Sequence, residues 1–237
     1  MTRVHSTRAI CARARLGLVH DPIDKAASSP IERAEELAIV MTQAIRRAQA
    51  DRPGAMVFIT GPSGAGKSLV LRAWMRMESR SGRPVLGPRE QCATSRRAVI
   101  DVVGPGRLPA RLSALSFAGL ADATLLDRPV RVLSEGQRFR VALAQLMCRV
   151  QSIVPAAGPS NSDAPAIAID EFASPLDGTT AACIARCFSR WVARTGVVAV
   201  VASSREELRG PLQPDIDVRI DLQGRALVDI RRRNGRD

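Results

Sequence analysis

Length, composition and charge exclude several classes of protein. The chain has 237 residues, enough for one large domain, and 46% of them are hydrophobic, so a sizeable core can form. No apolar run approaches the roughly 20 residues of a membrane-spanning helix. The five cysteines include no C-x-x-C pair of the kind that binds metal, and their odd number without a secretory signal favours a reducing, cytoplasmic location. The net charge of +12 is compatible with nucleic acid, with an anionic membrane surface, or with solvated basic tails.

The start of the chain predicts a basic arm, a helix and a strand. Residues 1–29 contain clustered arginines and predict an irregular arm, with a strand candidate in AICARARLGLV. The segment SSPIERAEELAIVMTQAIRRAQA has a serine cap, an early proline and apolar residues at helical spacing, so it predicts an amphipathic helix. The apolar run MVFIT, from Met56 to Thr60, predicts a buried strand.

A phosphate-binding loop follows that strand. The segment GPSGAGKS fits G-x-x-x-x-G-K-[ST] and precedes a predicted helix over residues 68–77. Its glycines let consecutive backbone N–H groups turn inward around a phosphate chain, next to the positive end of the helix dipole. Lys67 is predicted to reach the β- and γ-phosphates, and the Ser68 hydroxyl is predicted to bind Mg²⁺. The predicted nucleotide-binding residues are Gly61, Pro62, Ser63, Gly64, Ala65, Gly66, Lys67, Ser68 and Leu69.

The rest of the chain alternates predicted strands and helices. RPVLG is a strand candidate, AVIDVVG is an apolar segment, PARLSALSFAGLADA predicts a helix, and LSEGQRFRVALAQLMCRV is helical from about Glu135. After a loop in VPAAGPSNSDAP come the strand AIAID, the helix TTAACIARCFSRWVART, the strand GVVAVVAS, and a hairpin from DIDVRIDL to RALVDIRR. Continuous β-branched runs between helices predict an α/β fold with a mostly parallel sheet.

Two acidic residues end one of the buried strands. Asp170, at the end of AIAID, is predicted to hold Mg²⁺ beside the phosphate-binding loop. Glu171 follows directly and is predicted to orient or deprotonate an attacking water. The loop alone does not separate kinases, GTPases and ATPases. A kinase would place an acceptor substrate beside an arginine-rich lid, and the Asp-Glu pair argues against it.

The segment LSEGQ, from Leu133 to Gln137, resembles the signature motif of the ATP-binding cassette (ABC) ATPases, usually written LSGGQ. The chain also keeps that family's order of P-loop, signature, Asp-Glu and D-loop, with SPLD ending at Asp177. The resemblance covers about residues 54–210. It implies a P-loop fold, ATP with Mg²⁺, and two chains packed head to tail. In such a dimer Ser134, Gly136, Gln137 and Asp177 of one chain contact the nucleotide held by the other chain.

The chain departs from the family pattern at four places. Glu135 replaces a signature glycine, which predicts weaker closure on a γ-phosphate. Counting forward from Glu171 by the family's usual interval gives Ser204 where a switch histidine is expected, so hydrolysis is predicted to be slow. The predicted catalytic residues are thus Glu171, Lys67 and Ser204. The span from Lys67 to the signature is short, and Gln91 is its only candidate for the Q-loop glutamine. No tyrosine is present to stack on the base.

The sequence therefore predicts an ABC-type ATPase domain over residues 30–237, with a helical signature region at about 105–152. The short helical region and the basic charge favour a stand-alone, non-transporter member whose dimer acts on a nucleic-acid or protein partner. Two alternatives stay open. One is the ATP-binding subunit of a membrane transporter, with its membrane part on another chain. The other is an ATP sensor with little turnover.

Overall fold

The computed structural model describes residues 29–51, 53–88, 95–154 and 164–231, which are built around one six-stranded sheet. The strands are β1 (Ala55–Thr60), β2 (Val85–Leu86), β3 (Ala166–Ile169), β4 (Val198–Ser203), β5 (Ile216–Ile220) and β6 (Ala226–Ile230). Their order is β2-β3-β4-β1-β5-β6, and all neighbouring pairs are parallel except β5 with β6. The predicted α/β fold with a mostly parallel sheet is confirmed.

Seven α-helices surround the sheet in the described ranges, and the three longest begin at a capping side chain. They are α1 (Pro30–Asp51), α2 (Lys67–Arg80), α3 (Val99–Val102), α4 (Leu108–Phe117), α5 (Glu135–Ile153), α6 (Gly178–Thr195) and α7 (Arg209–Leu212). At the start of α1, the Ser29 hydroxyl accepts a hydrogen bond from the Glu32 N–H, and the Glu32 carboxylate accepts one from the Ser29 N–H. This reciprocal cap satisfies two backbone donors that the first turn leaves unpaired.

Two hydrophobic layers cover the sheet, one on each face. Alternate residues of a strand face opposite sides, so Met56 and Phe58 of β1 pack with α4, α5 and α6, whereas Val57 and Ile59 pack with α1 and α2. Every residue of β1 and of β4 is buried. These central strands consequently show continuous apolar runs without polar alternation, as expected for parallel strands covered on both faces.

The structure corrects one predicted helix end. The helix predicted over residues 109–123 ends at Phe117, because Gly119 adopts a left-handed φ of +73° and the Leu120 N–H bonds back to the Leu115 carbonyl. Asp122 then caps a separate 3-10 turn at Ala123–Leu125. The apolar segment AVIDVVG contributes only the four-residue helix α3.

Three predictions lie outside the described residues: the basic arm before residue 29, the Q-loop candidate Gln91, and most of the loop at residues 154–165. Within the ranges that the structure describes, no helix is both long enough and apolar enough to cross a membrane.

Candidate active site

The phosphate-binding loop joins the end of β1 to the start of α2. Gly61, Gly64 and Gly66 take positive φ angles of 151°, 81° and 95°, and the loop is closed by a hydrogen bond from the Ala65 N–H to the Pro62 carbonyl. A Cβ atom at Gly64 or Gly66 would meet nothing within 4 Å. Open space therefore borders the loop at these two glycines, where its backbone can approach a phosphate chain.

Lys67 lies in the first turn of α2 and reaches back across the loop. Its Nζ donates hydrogen bonds of 2.8 Å to the carbonyl oxygens of Gly61 and Pro62, and the residue is only 6% exposed. The ammonium group is thus held within the loop by the loop's own backbone. Ser68 follows in the same turn and is half-buried, and Leu69 and Ser63 are exposed.

The strand register brings the two acidic residues and the switch candidate to the same edge of the sheet. Thr60 of β1 pairs with Ser203 of β4, and Val201 of β4 pairs with Ile169 of β3. The phosphate-binding loop follows Thr60, Ser204 follows Ser203, and Asp170 with Glu171 follows Ile169. Asp170, Glu171 and Ser204 are all exposed at this carboxyl edge, which is where parallel sheets bind their ligands.

Oxygen ligands for Mg²⁺ are present at this edge. Ser68 offers a hydroxyl and Asp170 a carboxylate, of which Oδ1 accepts a 3.1 Å hydrogen bond from the Glu171 N–H. Among the described residues, no group of three or more His, Cys, Asp or Glu side chains could hold a metal ion. A donor set of one hydroxyl and one carboxylate suits Mg²⁺, which is usually bound by one or two protein oxygens together with substrate phosphates.

A strained turn begins at Glu171, the second of the two acidic residues. Glu171 and Ala173 adopt left-handed φ angles of +50° and +59°, which are uncommon outside glycine. The turn is held from the β4 side, since the Phe172 N–H donates to the Ala202 carbonyl at 2.8 Å and the Ser203 hydroxyl donates to the Phe172 carbonyl at 3.1 Å. The position of Glu171 therefore depends on the end of β4, which directly precedes Ser204.

Arg205 is a site residue that the sequence analysis missed. Its Nη1 donates hydrogen bonds to the carbonyl oxygens of Ala173, at 3.1 Å, and Leu176, at 2.6 Å. The only signal in the sequence is its position next to Ser204. Nothing in the local pattern shows that the guanidinium turns towards a segment some thirty residues earlier in the chain.

The signature residues lie at the start of α5, in the helical layer. Ser134 is the N-cap residue, and its hydroxyl accepts a 3.2 Å hydrogen bond from the Gln137 N–H. The Gln137 side chain accepts the Ser134 N–H at 3.0 Å, which completes a capping box. Glu135 is exposed in the first turn, where a carboxylate is favoured by the helix dipole.

The D-loop, residues 174–177, contacts the signature within the same chain. A Cβ atom at Gly136 would lie 3.0 Å from Leu176 Cδ2 and 3.1 Å from the Pro175 carbonyl oxygen, so the D-loop packs directly on this glycine. Asp177 is the N-cap residue of α6, and its Oδ1 accepts a 2.9 Å hydrogen bond from the Thr180 N–H. That bond lowers the pKa of the Asp177 carboxyl below its usual value.

The predicted residues thus form two groups. The first, which the register aligns at the carboxyl edge of the sheet, contains the phosphate-binding loop, Asp170, Glu171 and Ser204. The second lies around the start of α5 and contains Ser134, Gly136, Gln137 and the neighbouring D-loop. Hydrogen bonds from Ser203 and Arg205 to the segment after Glu171 connect the two groups.

Among the described residues, no phenylalanine or tryptophan ring is fully exposed. The chain has five phenylalanines, two tryptophans and no tyrosine. All seven rings lie in the described ranges, and each is buried or half-buried; they are Phe58, Trp74, Phe117, Phe139, Phe172, Phe188 and Trp191.

The chain is similar in sequence to known ATPase and ATP-binding proteins. Residues 29–177 match the family model described as the AAA ATPase domain. The cytochrome c biogenesis ATP-binding export protein CcmA of Aromatoleum aromaticum is 32% identical over 173 residues, which cover 62% of this chain and 74% of CcmA.

Solved structures show the same fold. The dimeric structure of MJ0796, a bacterial ABC transporter cassette, is 18% identical with a TM-score of 0.52, over 76% of this chain and 85% of that chain. A structure of the same cassette in a post-hydrolysis state is bound to ADP and Pi. The protein cbiO1 of Clostridium perfringens, part of an ABC transporter complex, is 20% identical with a TM-score of 0.51, over 74% of this chain and 76% of that chain.

The sheet order, the phosphate-binding loop and the acidic strand end define a P-loop NTPase fold. The AAA description covers the loop and the Asp-Glu pair, which many P-loop ATPases share, whereas the LSEGQ signature and the relative CcmA are more specific. The chain belongs to the ABC-type ATPases.

Proposed function

We propose that this chain binds ATP with Mg²⁺ at the carboxyl edge of the sheet and slowly hydrolyses the bond between the β- and γ-phosphates, giving ADP and phosphate. The observation that carries the proposal is the register that aligns the phosphate-binding loop with Asp170, Glu171 and Ser204. Open space borders the loop glycines, and Lys67 already lies within the loop as a cation for the β- and γ-phosphates.

Each residue at this edge has a separate task in the proposed reaction. Ser68 and Asp170 would hold Mg²⁺, which neutralises charge on the phosphate oxygens. Glu171, exposed at the strand end, orients the attacking water and takes its proton. Ser204 can hydrogen-bond to a phosphate or to water, but a serine cannot accept a proton at neutral pH as histidine can. Turnover is therefore expected to be slow.

We further propose that two copies close head to tail on ATP. Ser134, Gly136 and Gln137 at the start of α5 would contact the nucleotide of the other copy, because a helix N-terminus favours an anion. Asp177 would lie at the same junction through the D-loop. Glu135 adds a negative charge beside this anion site, so closure is expected to be weaker than with glycine at that position.

Similarity to a known export protein bears on the partner on which this dimer acts. The relative CcmA is an ATP-binding export protein, which favours a second candidate: the energy-coupling subunit of a membrane transporter. A nucleic-acid partner has only the net charge of +12 in its favour, and a stand-alone role has only the short helical region. The transporter candidate therefore takes precedence over the sequence-based preference for a stand-alone dimer that acts on a nucleic-acid or protein partner.

Steady-state phosphate release from ATP by the full chain tests the proposal. Turnover is expected to require Mg²⁺ and to be lost in Glu171→Gln, which keeps the size of the side chain but removes the base. Glu206→Gln is the matched control, since Glu206 is also exposed and lines a cavity with Gly61 and Pro62, but has no proposed role. Equal turnover in wild type and Glu171→Gln would refute Glu171 as the base. The absence of both ATP binding and turnover would refute the proposal as a whole.

Two additions to this assay separate the partners. Duplex DNA that raises turnover would favour the nucleic-acid partner. Co-purification of the tagged chain with a protein of several membrane spans would favour the transporter. ATP binding with no turnover above Glu171→Gln would leave the chain as a nucleotide sensor.

A further inference from the structure

Arg205 connects the segment after β4 with the segment after β3. Its Nη1 donates to the Ala173 and Leu176 carbonyls at 3.1 and 2.6 Å, and its Nε donates to Glu207 Oε1 at 2.9 Å. Only 20% of the Arg205 side chain is exposed, compared with 62% for Glu207. The bonds to the two carbonyls are therefore the better shielded part of this arrangement, and hydrogen bonds from an ionised donor are the stronger kind.

One of the two carbonyls, that of Ala173, directly precedes the D-loop, and the other, that of Leu176, lies within it. Ala173 has the left-handed φ of +59° that turns the chain away from Glu171, and Leu176 is the residue that packs against Gly136 of the signature. A strained backbone of this kind persists only where surrounding contacts fix it. The guanidinium of Arg205 supplies such contacts just before the D-loop and within it.

We infer that Arg205 is a positioning residue: it fixes the turn after Glu171 and, through Leu176, the D-loop that supports Gly136. This inference rests on the proposed ATP hydrolysis. Arginine suits the task because one planar guanidinium offers several donors in a fixed geometry, whereas a lysine ammonium is a flexible point charge. Arg205 itself does not contact the reacting atoms in this role. Its effect on turnover would pass through Glu171.

The test compares Arg205→Ala and Arg205→Lys with the control Glu207→Gln, which leaves both carbonyl bonds in place. Phosphate release by the full chain is measured over a range of ATP concentrations. For Arg205→Ala, kcat is expected to fall about 100-fold, the size of effect that a 1 Å misplacement of a catalytic group produces. KM for ATP should stay within about threefold, because the guanidinium bonds to Ala173, Leu176 and Glu207 rather than to the phosphate-binding loop. Arg205→Lys should fall between Arg205→Ala and wild type, and Glu207→Gln should match wild type.

Addition of guanidinium ion at millimolar concentration tests for chemical rescue of kcat, which would not occur if Arg205→Ala only destabilised the protein in general. It is expected to restore part of the kcat of Arg205→Ala and none of that of Glu171→Gln. The inference is overturned if Arg205→Ala keeps kcat within about twofold of wild type, or if KM rises in parallel with the loss of kcat. Should Arg205→Ala fail to fold, Arg205→Lys carries the same comparison.

Failure of the ATPase proposal can be told apart from failure of this inference. If wild type releases no phosphate, amide hydrogen exchange over residues 172–178 decides the inference instead. Faster exchange there in Arg205→Ala, with exchange in β4 unchanged, would support a turn fixed by Arg205. Equal exchange in the two proteins would overturn it.

Discussion

Among Gly61, Gly64 and Gly66, we expect an added methyl group to destabilise the protein most at Gly61. Gly61 has a φ of +151°, and a Cβ atom there would overlap the carbonyl oxygen of Ile220 and lie 3.1 Å from its carbon. Ile220 ends β5, which pairs with β1 through Thr60 and Arg219. Because both neighbours of the new methyl group are backbone atoms of the sheet, no side-chain rotation can relieve the overlap.

The expected cost of Gly61→Ala has two parts. The positive φ costs an alanine about 1–3 kcal/mol, and overpacking adds about 1–3 kcal/mol. The sum, about 2–6 kcal/mol, is a large share of the roughly 5–15 kcal/mol that stabilises a typical domain. Gly64→Ala is the matched control, since Gly64 has a φ of +81° but a Cβ atom there would meet nothing within 4 Å. That variant should show only the conformational part.

Urea denaturation followed by circular dichroism measures both variants, and the difference between them isolates the overlap with Ile220. ATP binding should also weaken in Gly61→Ala, because Lys67 is bonded to the Gly61 carbonyl. Equal free energies of unfolding for Gly61→Ala and Gly64→Ala would refute the steric argument. A Gly61→Ala protein as stable as wild type would refute both parts.

Three further predictions concern stability and thiol chemistry. Glu78→Gln removes the partner of Arg83 from a nearly buried ion pair of 3.6 Å, so the free energy of unfolding in urea should fall by about 3 kcal/mol. Asp177→Ala removes the cap of α6. Since the pKa of Asp177 is lowered in the folded state, its stabilisation is present above about pH 4 and is lost as the pH falls through that carboxyl's folded pKa, so the Tm of this variant should approach wild type in acid. Burial raises the pKa of the Cys148 thiol, so iodoacetamide should label exposed Cys183 before Cys148, as mapped by mass spectrometry.

Each of these predictions has a result that contradicts it. The surface ion pair of Arg76 with Glu35, more than half exposed on both sides, is the control for the buried pair, and Glu35→Gln should cost less than about 0.5 kcal/mol. An equal cost at positions 35 and 78 would contradict the role of burial. A Tm difference for Asp177→Ala that persists at low pH would contradict a contribution from the carboxylate. Simultaneous labelling of the two cysteines would contradict the burial of Cys148.

Local pattern was enough to predict the parts of the site that lie within one element. The strand β1, the loop after it and the pair Asp170 and Glu171 are each encoded by a few consecutive residues. The start of α5 at Glu135 was also predictable, because Ser134 and Gln137 have the spacing of a capping box. The end of α4 was predicted wrongly, since apolar residues continue at helical spacing past Phe117 and only Gly119 signals the stop.

Contacts between distant segments could not be predicted in the same way. The bond from Arg205 to the Ala173 carbonyl joins residues 32 positions apart, and its acceptor is a backbone group that every residue possesses. The packing of Pro175 on Gly136 depends on how α5 and the turn after β3 lie against each other. Side-chain type does not encode such contacts, because they arise from the tertiary arrangement of the elements.

The two buried tryptophans can serve as intrinsic fluorescence probes. Trp74 lies on α2, in the layer beneath the phosphate-binding loop, whereas Trp191 lies on α6, in the layer on the opposite face of the sheet. Both indole N–H groups are buried without a hydrogen-bond partner. Each hydrophobic layer therefore holds one fluorophore in an apolar environment. The single variants Trp74→Phe and Trp191→Phe would assign an emission change to one layer, so that events on the two faces of the sheet can be followed separately without any attached dye.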